Sequence, residues 1–197
     1  MKNKLLLKVK GLDCKRNGAS IFKPISFSLF SRSIVVIRGS NGSGKTSLLH
    51  SIAGLISYSG NIDFKINNKT IGYVGHKLAL KENDTVIEFL KYWKELYGSK
   101  KDLNKIIEQF KVRNLLYTPI SFLSFGQKKR LAFIRLRMIE TKLWLLDEPF
   151  SGMDNFNKKL LLSIMNDHLF NKGGIIMATH DSFRLLNIKY KKEVKIV

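Results

Sequence analysis

A run of β-branched apolar residues that leads straight into a glycine-rich loop constrains this chain more than any other stretch. Ser33-Ile34-Val35-Val36-Ile37 has the unbroken apolar character of a strand buried on both faces. Gly39-Ser40-Asn41-Gly42-Ser43-Gly44-Lys45-Thr46 follows, and Leu48, Leu49, Ile52 and Ala53 then share one helical face ending at Gly54. The loop has the spacing G-x-x-x-x-G-K-[ST] between a predicted strand and a predicted helix. Its glycines let the backbone curl so that successive N–H groups point inward at phosphate oxygens, and the helix start adds partial positive charge. In such a loop Lys45 reaches the β- and γ-phosphates and the Thr46 hydroxyl is placed to ligate Mg²⁺. Gly39 through Thr46, with Ser47 behind them, form the candidate triphosphate-binding segment. Taken alone the loop says only nucleoside triphosphate, which kinases, GTPases and many motors share.

The rest of the chain alternates strands with helices. From Leu5 to Phe30 the pattern reads as short strands separated by turns, with Asn17-Gly18 as a hairpin tip. Ile62 to Ile66 alternates like a half-buried strand, and Ile71 to Val74 reads as another. Between Thr85 and about Phe110 the periodicity is helical, and Phe89, Trp93, Leu96 and Tyr97 share a face that is expected to be subdomain core. Leu143 to Leu146 and Ile175 to Ala178 read as two further buried strands. The expectation is an α/β core with a helical insertion. With 197 residues the chain suits one domain, spanning 1–197 with a helical subdomain over about 82–137.

Composition bounds the function classes. Cys14 is the single cysteine, so neither an internal disulfide nor a cysteine-based metal cluster is available. No segment approaches the ~20 continuous apolar residues of a spanning helix, and Leu5-Leu6-Leu7 behind a basic start is too short for a secretory signal. The expectation is a soluble domain that stays on the side where it was made. Thirty-five Lys and Arg against fifteen Asp and Glu give a formal +20, scattered along the chain and not gathered in one tail. That excess reads either as a bias with no specific partner or as proximity to an anionic membrane surface.

Leu143-Trp144-Leu145-Leu146-Asp147-Glu148 is an apolar strand ending in two acids, at the strand end where α/β sheets bind ligands. An isolated Asp-Glu-Pro is equally well a pair of solvated acids opening a turn. With a phosphate loop upstream, Asp147 reads as the holder of Mg²⁺ or its water shell, and Glu148 as the general base that orients the attacking water.

Leu123-Ser124-Phe125-Gly126-Gln127 lies between those two motifs and resembles the ABC signature, L-S-G-G-Q. By itself Ser124 also reads as an ordinary N-cap, with Leu131, Ile134 and Met138 on the apolar face of the helix it opens. Ser151-Gly152-Met153-Asp154 looks like the family's D-loop, and His180, after Ile175 to Ala178, looks like its switch histidine. These ordered matches cover nearly the whole chain, which is identified as a member of the ABC transporter ATP-binding family. The resemblance implies an ABC-type P-loop NTPase fold: a RecA-like core, an N-terminal antiparallel β subdomain and a helical signature subdomain. It implies ATP and Mg²⁺ as ligands. It also implies a sandwich dimer in which Ser124, Gly126 and Gln127 of one copy cap the γ-phosphate held by the other, with Asp154 bridging the two sites.

Three positions depart from the family pattern. His76 stands where the family has glutamine, Phe125 replaces a signature glycine, and the adenine-stacking aromatic aligns near Arg16. The Gly75-His76 pair, the Trp-Leu-Leu-Asp-Glu-Pro-Phe stretch and Gly173-Gly174 before Ile-Ile-Met-Ala-Thr-His resemble the ATP-binding subunits of cytochrome c maturation haem exporters, the CcmA type. The ABC resemblance gives His180 the contact with γ-phosphate and the attacking water, and His76, in the glutamine position, joins Lys45, Glu148 and His180 as a candidate catalytic residue. The narrower resemblance implies transmembrane partner subunits of the CcmB and CcmC type. Peripheral association would be with the cytoplasmic face of the inner membrane, or the matrix side of the mitochondrial inner membrane for an organelle-encoded chain. None of His50, His76, His168 and His180 is assigned to iron. Rival readings are the ATPase of another exporter, or a soluble ABC ATPase acting on nucleic acid or ribosomes. The second usually brings a long coiled-coil insertion or a second cassette. Neither is in this sequence, so no nucleic-acid partner is expected.

Overall fold

The computed structural model describes residues 3–16, 18–66, 71–180 and 191–196. The chain divides into two compact units, one of Met1–His76, Thr141–Pro149 and Met165–Val197, the other of Lys77–Glu140 and Phe150–Ile164.

Unbroken apolar strands need cover on both faces, and the first unit gives it to them. Its five-stranded sheet runs in the order β10 (Lys191–Lys195), β5 (Ser33–Arg38), β9 (Gly174–Ala178), β8 (Leu143–Asp147) and β7 (Ile71–Val74). Every neighbouring pair is parallel. β8 and β9 are buried at every position, and β5 at all but its last. In a second, antiparallel sheet of order β4 (Ile25–Phe30), β1 (Leu5–Asp13) and β6 (Ser59–Phe64), β4 alternates instead, whereas β6, which ends at Phe64 and not at the expected Ile66, has no alternation and no buried residue. Leu7, Val9 and Leu12 of β1 are buried, while Lys8 and Lys10 face outward. Gly174 shows how closely the sheets approach, since a Cβ there would sit 2.8 Å from Leu6 Cδ1 and 2.9 Å from Leu29 Cδ2. Helix α1 (Lys45–Ile52) buries Leu48, Leu49 and Ile52 in a core that also holds Leu7, Leu29, Val35, Leu145 and Ile176. β2 (Lys15–Arg16) and β3 (Ala19–Ser20) pair antiparallel across the expected hairpin. Gly18 has φ 80°, while Asn17 and the Arg16 side chain lie outside the described residues.

The second unit holds α2 (Val86–Leu96), α3 (Leu103–Gln109), α4 (Phe125–Ile139) and the start of α5 (Asn155–Phe170). Thr85 and Glu88 close a capping box at the start of α2. The helical stretch is two helices: Gly98 turns the chain at φ 56° and Asp102 caps α3. The expected core face of this stretch is corrected. Phe89 is buried, but Leu96 is 56% and Tyr97 37% exposed. The buried stripe is instead Val86, Phe89, Leu90, Ile106, Ile107 and Phe110. The aromatic rings beyond it are satisfied by one another and by a cation. Trp93 stacks on Tyr97 with centroids 5.2 Å apart, and the Arg135 guanidinium sits 5.1 Å above the Trp93 ring. On α4 the expected Leu131, Ile134 and Met138 are buried, joined by Ala132, Phe133 and Leu136. Among the described residues no helix is long and apolar enough to cross a membrane.

The two environments predict opposite responses to truncation. Leu145→Ala in the parallel sheet should lower unfolding free energy by ~2–5 kcal/mol. Leu96→Ala, on the exposed last turn of α2, should stay within about 0.5 kcal/mol of wild type. Urea unfolding of the two variants checks both.

Candidate functional site

Register in the parallel sheet decides which loops meet. Ile37 of β5 and Asp147 of β8 both pair with Ala178 of β9, and Val74 of β7 pairs with Leu146. The segments leaving four strands therefore emerge together at their carboxyl ends. They are the loop from Gly39, His76, Asp147-Glu148 and His180. An open cleft of ≈ 350 Å³ there is lined by Ile21, Asn41, Gly42, Gly44, Lys45, Thr46, Ser47, His76, Asp147 and Glu148.

The loop is built for an anion. Gly44 is required twice over: its φ is 94°, and a Cβ would lie 2.6 Å from Ile21 Cγ2 and 2.7 Å from Phe22 Cδ1. At Gly39 a side chain would collide with Ser43 Oγ at 2.3 Å. Gly44 opens α1 with no side-chain cap, which leaves the first-turn N–H groups to a ligand or solvent. The buried Lys45 ammonium donates to the carbonyls of Gly39 at 2.9 Å and Ser40 at 3.0 Å. It also stands 3.9 Å from Glu148 Oε1. The Thr46 hydroxyl donates to Asp147 Oδ2 at 2.7 Å. This pair of hard oxygen donors suits Mg²⁺, which binds through few protein ligands and keeps its other positions for water and phosphate.

Glu148 is held from several sides. Its φ of 45° lies in the left-handed region, a strain of about 1–3 kcal/mol for a residue with a side chain. Its N–H donates to the carbonyl of Ala178 at 2.9 Å. Oε1 accepts from the His180 backbone N–H at 3.1 Å and lies 3.0 Å from His180 Nδ1. Lys45 and His180 thus converge on one carboxylate oxygen.

Tyr73 is a residue that sequence reasoning missed. Its hydroxyl lies 3.0 Å from His50 Nε2, and a Cβ on Gly75 would come within 2.5 Å of it. Burial, and secondly the negative charge of Asp147, push its pKa up to about 12. The one sequence signal was a tyrosine two residues before a glycine at a strand end, which is too common to single it out.

The remaining predicted residues lie in the second unit. Ser124 caps α4 in a capping box: its hydroxyl accepts from Gln127 N–H at 3.3 Å, and Gln127 Oε1 accepts from Ser124 N–H at 2.8 Å. Gly126 has no room for a side chain, because a Cβ would lie 2.8 Å from Asn157 Nδ2. Asp154 accepts from the Asn157 backbone N–H at 2.7 Å and from its Nδ2 at 2.9 Å, and those bonds hold its pKa below the usual carboxylate value. The N-cap reading of Ser124 is therefore what its hydrogen bonds show.

A parallel sheet with a phosphate loop after β5 and two acids at the end of β8, with β9 between the two strands, defines a P-loop nucleoside triphosphatase. Residues 22–151 match the ABC transporter family, and the chain belongs to that family. It is 36% identical to the cytochrome c biogenesis ATP-binding export protein CcmA of Rhodopseudomonas palustris strain HaA2, across 87% of this chain and 90% of that protein. With the protein of the same description from Reclinomonas americana the identity is 38%, across 88% and 83%. Among solved structures, an ATP-binding ABC transporter protein from Pyrococcus furiosus superposes with a TM-score of 0.80 at 22% identity, across 95% of this chain and 96% of that one. The ADP conformation of an ATP-binding cassette superposes with a TM-score of 0.77 at 20% identity, across 98% and 89%. The chain is thus an ATP-binding ABC transporter subunit and an ATPase. Family membership implies membrane-subunit partners and dimerisation.

Tyr73 reports on the charge of the site. Its raised pKa gives stability that is full below pH 10 and lost as pH rises through about 12. Asp147→Asn should lower the Tyr73 pKa from about 12 yet leave it above 10, because burial is the larger cause. Ultraviolet titration of the folded variant measures it; an unmoved tyrosine would remove Asp147 from its surroundings.

Proposed function

We propose that this chain energises a cytochrome c biogenesis export system by hydrolysing ATP between two copies of itself, with haem export or handling as the work done. The observation that carries the hydrolytic reading is the convergence of Lys45 and His180 on Glu148 Oε1, beside the Thr46–Asp147 pair. The pathway is supported by similarity, across more than four fifths of each chain, to proteins described as cytochrome c biogenesis ATP-binding export proteins.

In this reading the chain works as one ABC domain. Gly39 to Ser47 wrap the phosphates with backbone N–H groups, and Lys45 turns from its carbonyl partners to the β- and γ-oxygens. Thr46 and Asp147 would hold Mg²⁺, which when bound would neutralise charge on the phosphate oxygens. Glu148 accepts a proton from water as the water oxygen bonds to the γ-phosphorus. The bond from that phosphorus to the bridging oxygen breaks, and ADP and phosphate leave. His180 orients the Glu148 carboxylate, and His76 and His180 border the γ-phosphate. Ser124, Gly126 and Gln127 of the second copy close over that phosphate, with Asp154 at the junction of the two sites. Membrane partners of the CcmB and CcmC type would receive the motion at the cytoplasmic face of the inner membrane, or the matrix face of a mitochondrial one.

Glu148→Gln removes the base and keeps the shape. It should retain ATP binding, accumulate an ATP-dependent dimer on size-exclusion chromatography, and cut steady-state hydrolysis by roughly 10²–10⁴-fold. An unchanged rate removes the assignment. Loss of c-type cytochromes on deletion, together with recovery of haem-handling membrane subunits on co-purification, tests the pathway; surviving cytochromes count against it.

A further inference from the structure

Gly75 directly follows β7, and its backbone is not left-handed, so the turn itself does not call for glycine. What excludes a side chain there is Tyr73. A Cβ on Gly75 would lie 2.5 Å from the Tyr73 hydroxyl oxygen and 2.9 Å from both Cε1 and Cζ. The far half of the ring therefore lies against the backbone that the chain follows out of the strand. That ring is fixed at both ends. Its backbone pairs with Leu145 of β8, and the ring packs against the core that holds Leu48, Leu49 and Ile52 of α1. Its hydroxyl lies 3.0 Å from Nε2 of His50, on the last turn of the same helix, and the two rings meet edge to face with centroids 5.5 Å apart. A pKa pushed up to about 12 keeps that hydroxyl protonated at ordinary pH.

Two stretches that line the cleft are joined by this one side chain. α1 opens with Lys45, Thr46 and Ser47, and the segment leaving β7 carries His76; all four line the cleft, and all belong to the first unit. β7 is the last strand of its sheet, and among the described strands it pairs with β8 alone. Tyr73 supplies from the sheet face a support that no second neighbouring strand gives. We propose that Tyr73 is a positioning residue: with its hydroxyl on His50 and its ring in the place of a Gly75 side chain, it sets where the chain puts His76 relative to α1. This rests on His76 bordering the γ-phosphate, as proposed above. It also gives the Gly75-His76 pair a reason: with the tyrosine in place, only glycine lets the chain pass.

The test is a set of double-mutant cycles on steady-state ATPase of the full chain, with kcat and KM separated. Tyr73→Phe keeps the ring and loses the hydroxyl. It should lower kcat by about three- to tenfold, the scale of one neutral hydrogen bond, with KM for ATP unchanged within about twofold. His50→Ala removes the same bond from the other side and should lower kcat to the same degree. His76→Ala should lower kcat by about a hundredfold. Adding Tyr73→Phe to it should change kcat by no more than about twofold, because the tyrosine acts only through His76. Gly75→Ala should lower kcat by about ten- to a hundredfold, the scale of a group displaced by about an ångström. Tyr73→Leu lacks all three atoms that crowd Gly75, so Gly75→Ala added to it should cost no more than about twofold further. Unchanged kcat in Tyr73→Phe, a fully additive loss in the His76→Ala background, or an equal cost of Gly75→Ala beside tyrosine and beside leucine would each overturn the proposal. A raised KM at normal kcat would do the same, because it would place the effect in binding. Should Tyr73→Phe fail to fold, His50→Ala carries the same expectation, alone and with His76→Ala. If His76→Ala leaves hydrolysis intact, the γ-phosphate reading of His76 fails and the proposal with it. If His76→Ala slows hydrolysis and Tyr73→Phe does not, only the positioning fails.

Discussion

Parallel, in-register pairing of β5, β9, β8 and β7 is the constraint on which the rest of the site depends. Parallel strands deliver all their carboxyl ends to one edge, and equal register delivers them to one depth. Residues separated by up to about a hundred positions then become hydrogen-bonding neighbours: Thr46 reaches Asp147 across 101 residues, and Glu148 reaches His180 across 32. A one-residue slip of β8 would turn its side chains to the opposite face and replace Asp147 by Leu146 at the level of Ala178. Burial of β8 and β9 on both faces does not itself set that register. The cross-strand packing of Leu143 to Leu146 against Ile175 to Ala178 does.

The charged groups at this edge show a shared logic. Lys45 is buried with its proton donors directed at two loop carbonyls, and Glu148 is buried with its oxygen directed at donors from another strand. Lys45 Nζ and Glu148 Oε1 have these partners without nucleotide, so a phosphate arriving at Lys45 exchanges partners. In the second unit the buried Lys129 follows the same rule with a carbonyl and an aromatic face. At three glycines of these loops the space beside the backbone is already taken by a named neighbour: Phe22 at Gly44, Tyr73 at Gly75, Phe125 at Gly152.

Much of this was legible from local chemistry. The phosphate loop, the two acids and the helix opened by Ser124 are short motifs whose residue types carry their own reason. Hydrophobic period alone placed β5, β8, β9 and the buried face of α4. The stretch from Thr85 to Phe110 is helical as its period says, but its buried face differs from the expected one for an equally physical reason. Periodicity says that residues share a face, but not how far along a helix a neighbour extends to cover it. The end of α2 therefore leaves Leu96 largely and Tyr97 partly in solvent, while Trp93 finds a partner in Arg135.

By itself the sequence determined the kinds of chemistry present: a phosphate-binding loop, a strand ending in two carboxylates, and a capped helix between them. Each is local, because it follows from the conformational freedom of glycine, the buried strand period and the capping capacity of serine. Only the tertiary structure decided which of these groups meet. That Glu148 is strained, that His180 and Lys45 share one of its oxygens, and that Phe125 rests on Gly152 under Lys129 are long-range facts. They are set by strand register and helix packing, which no short window of residues encodes.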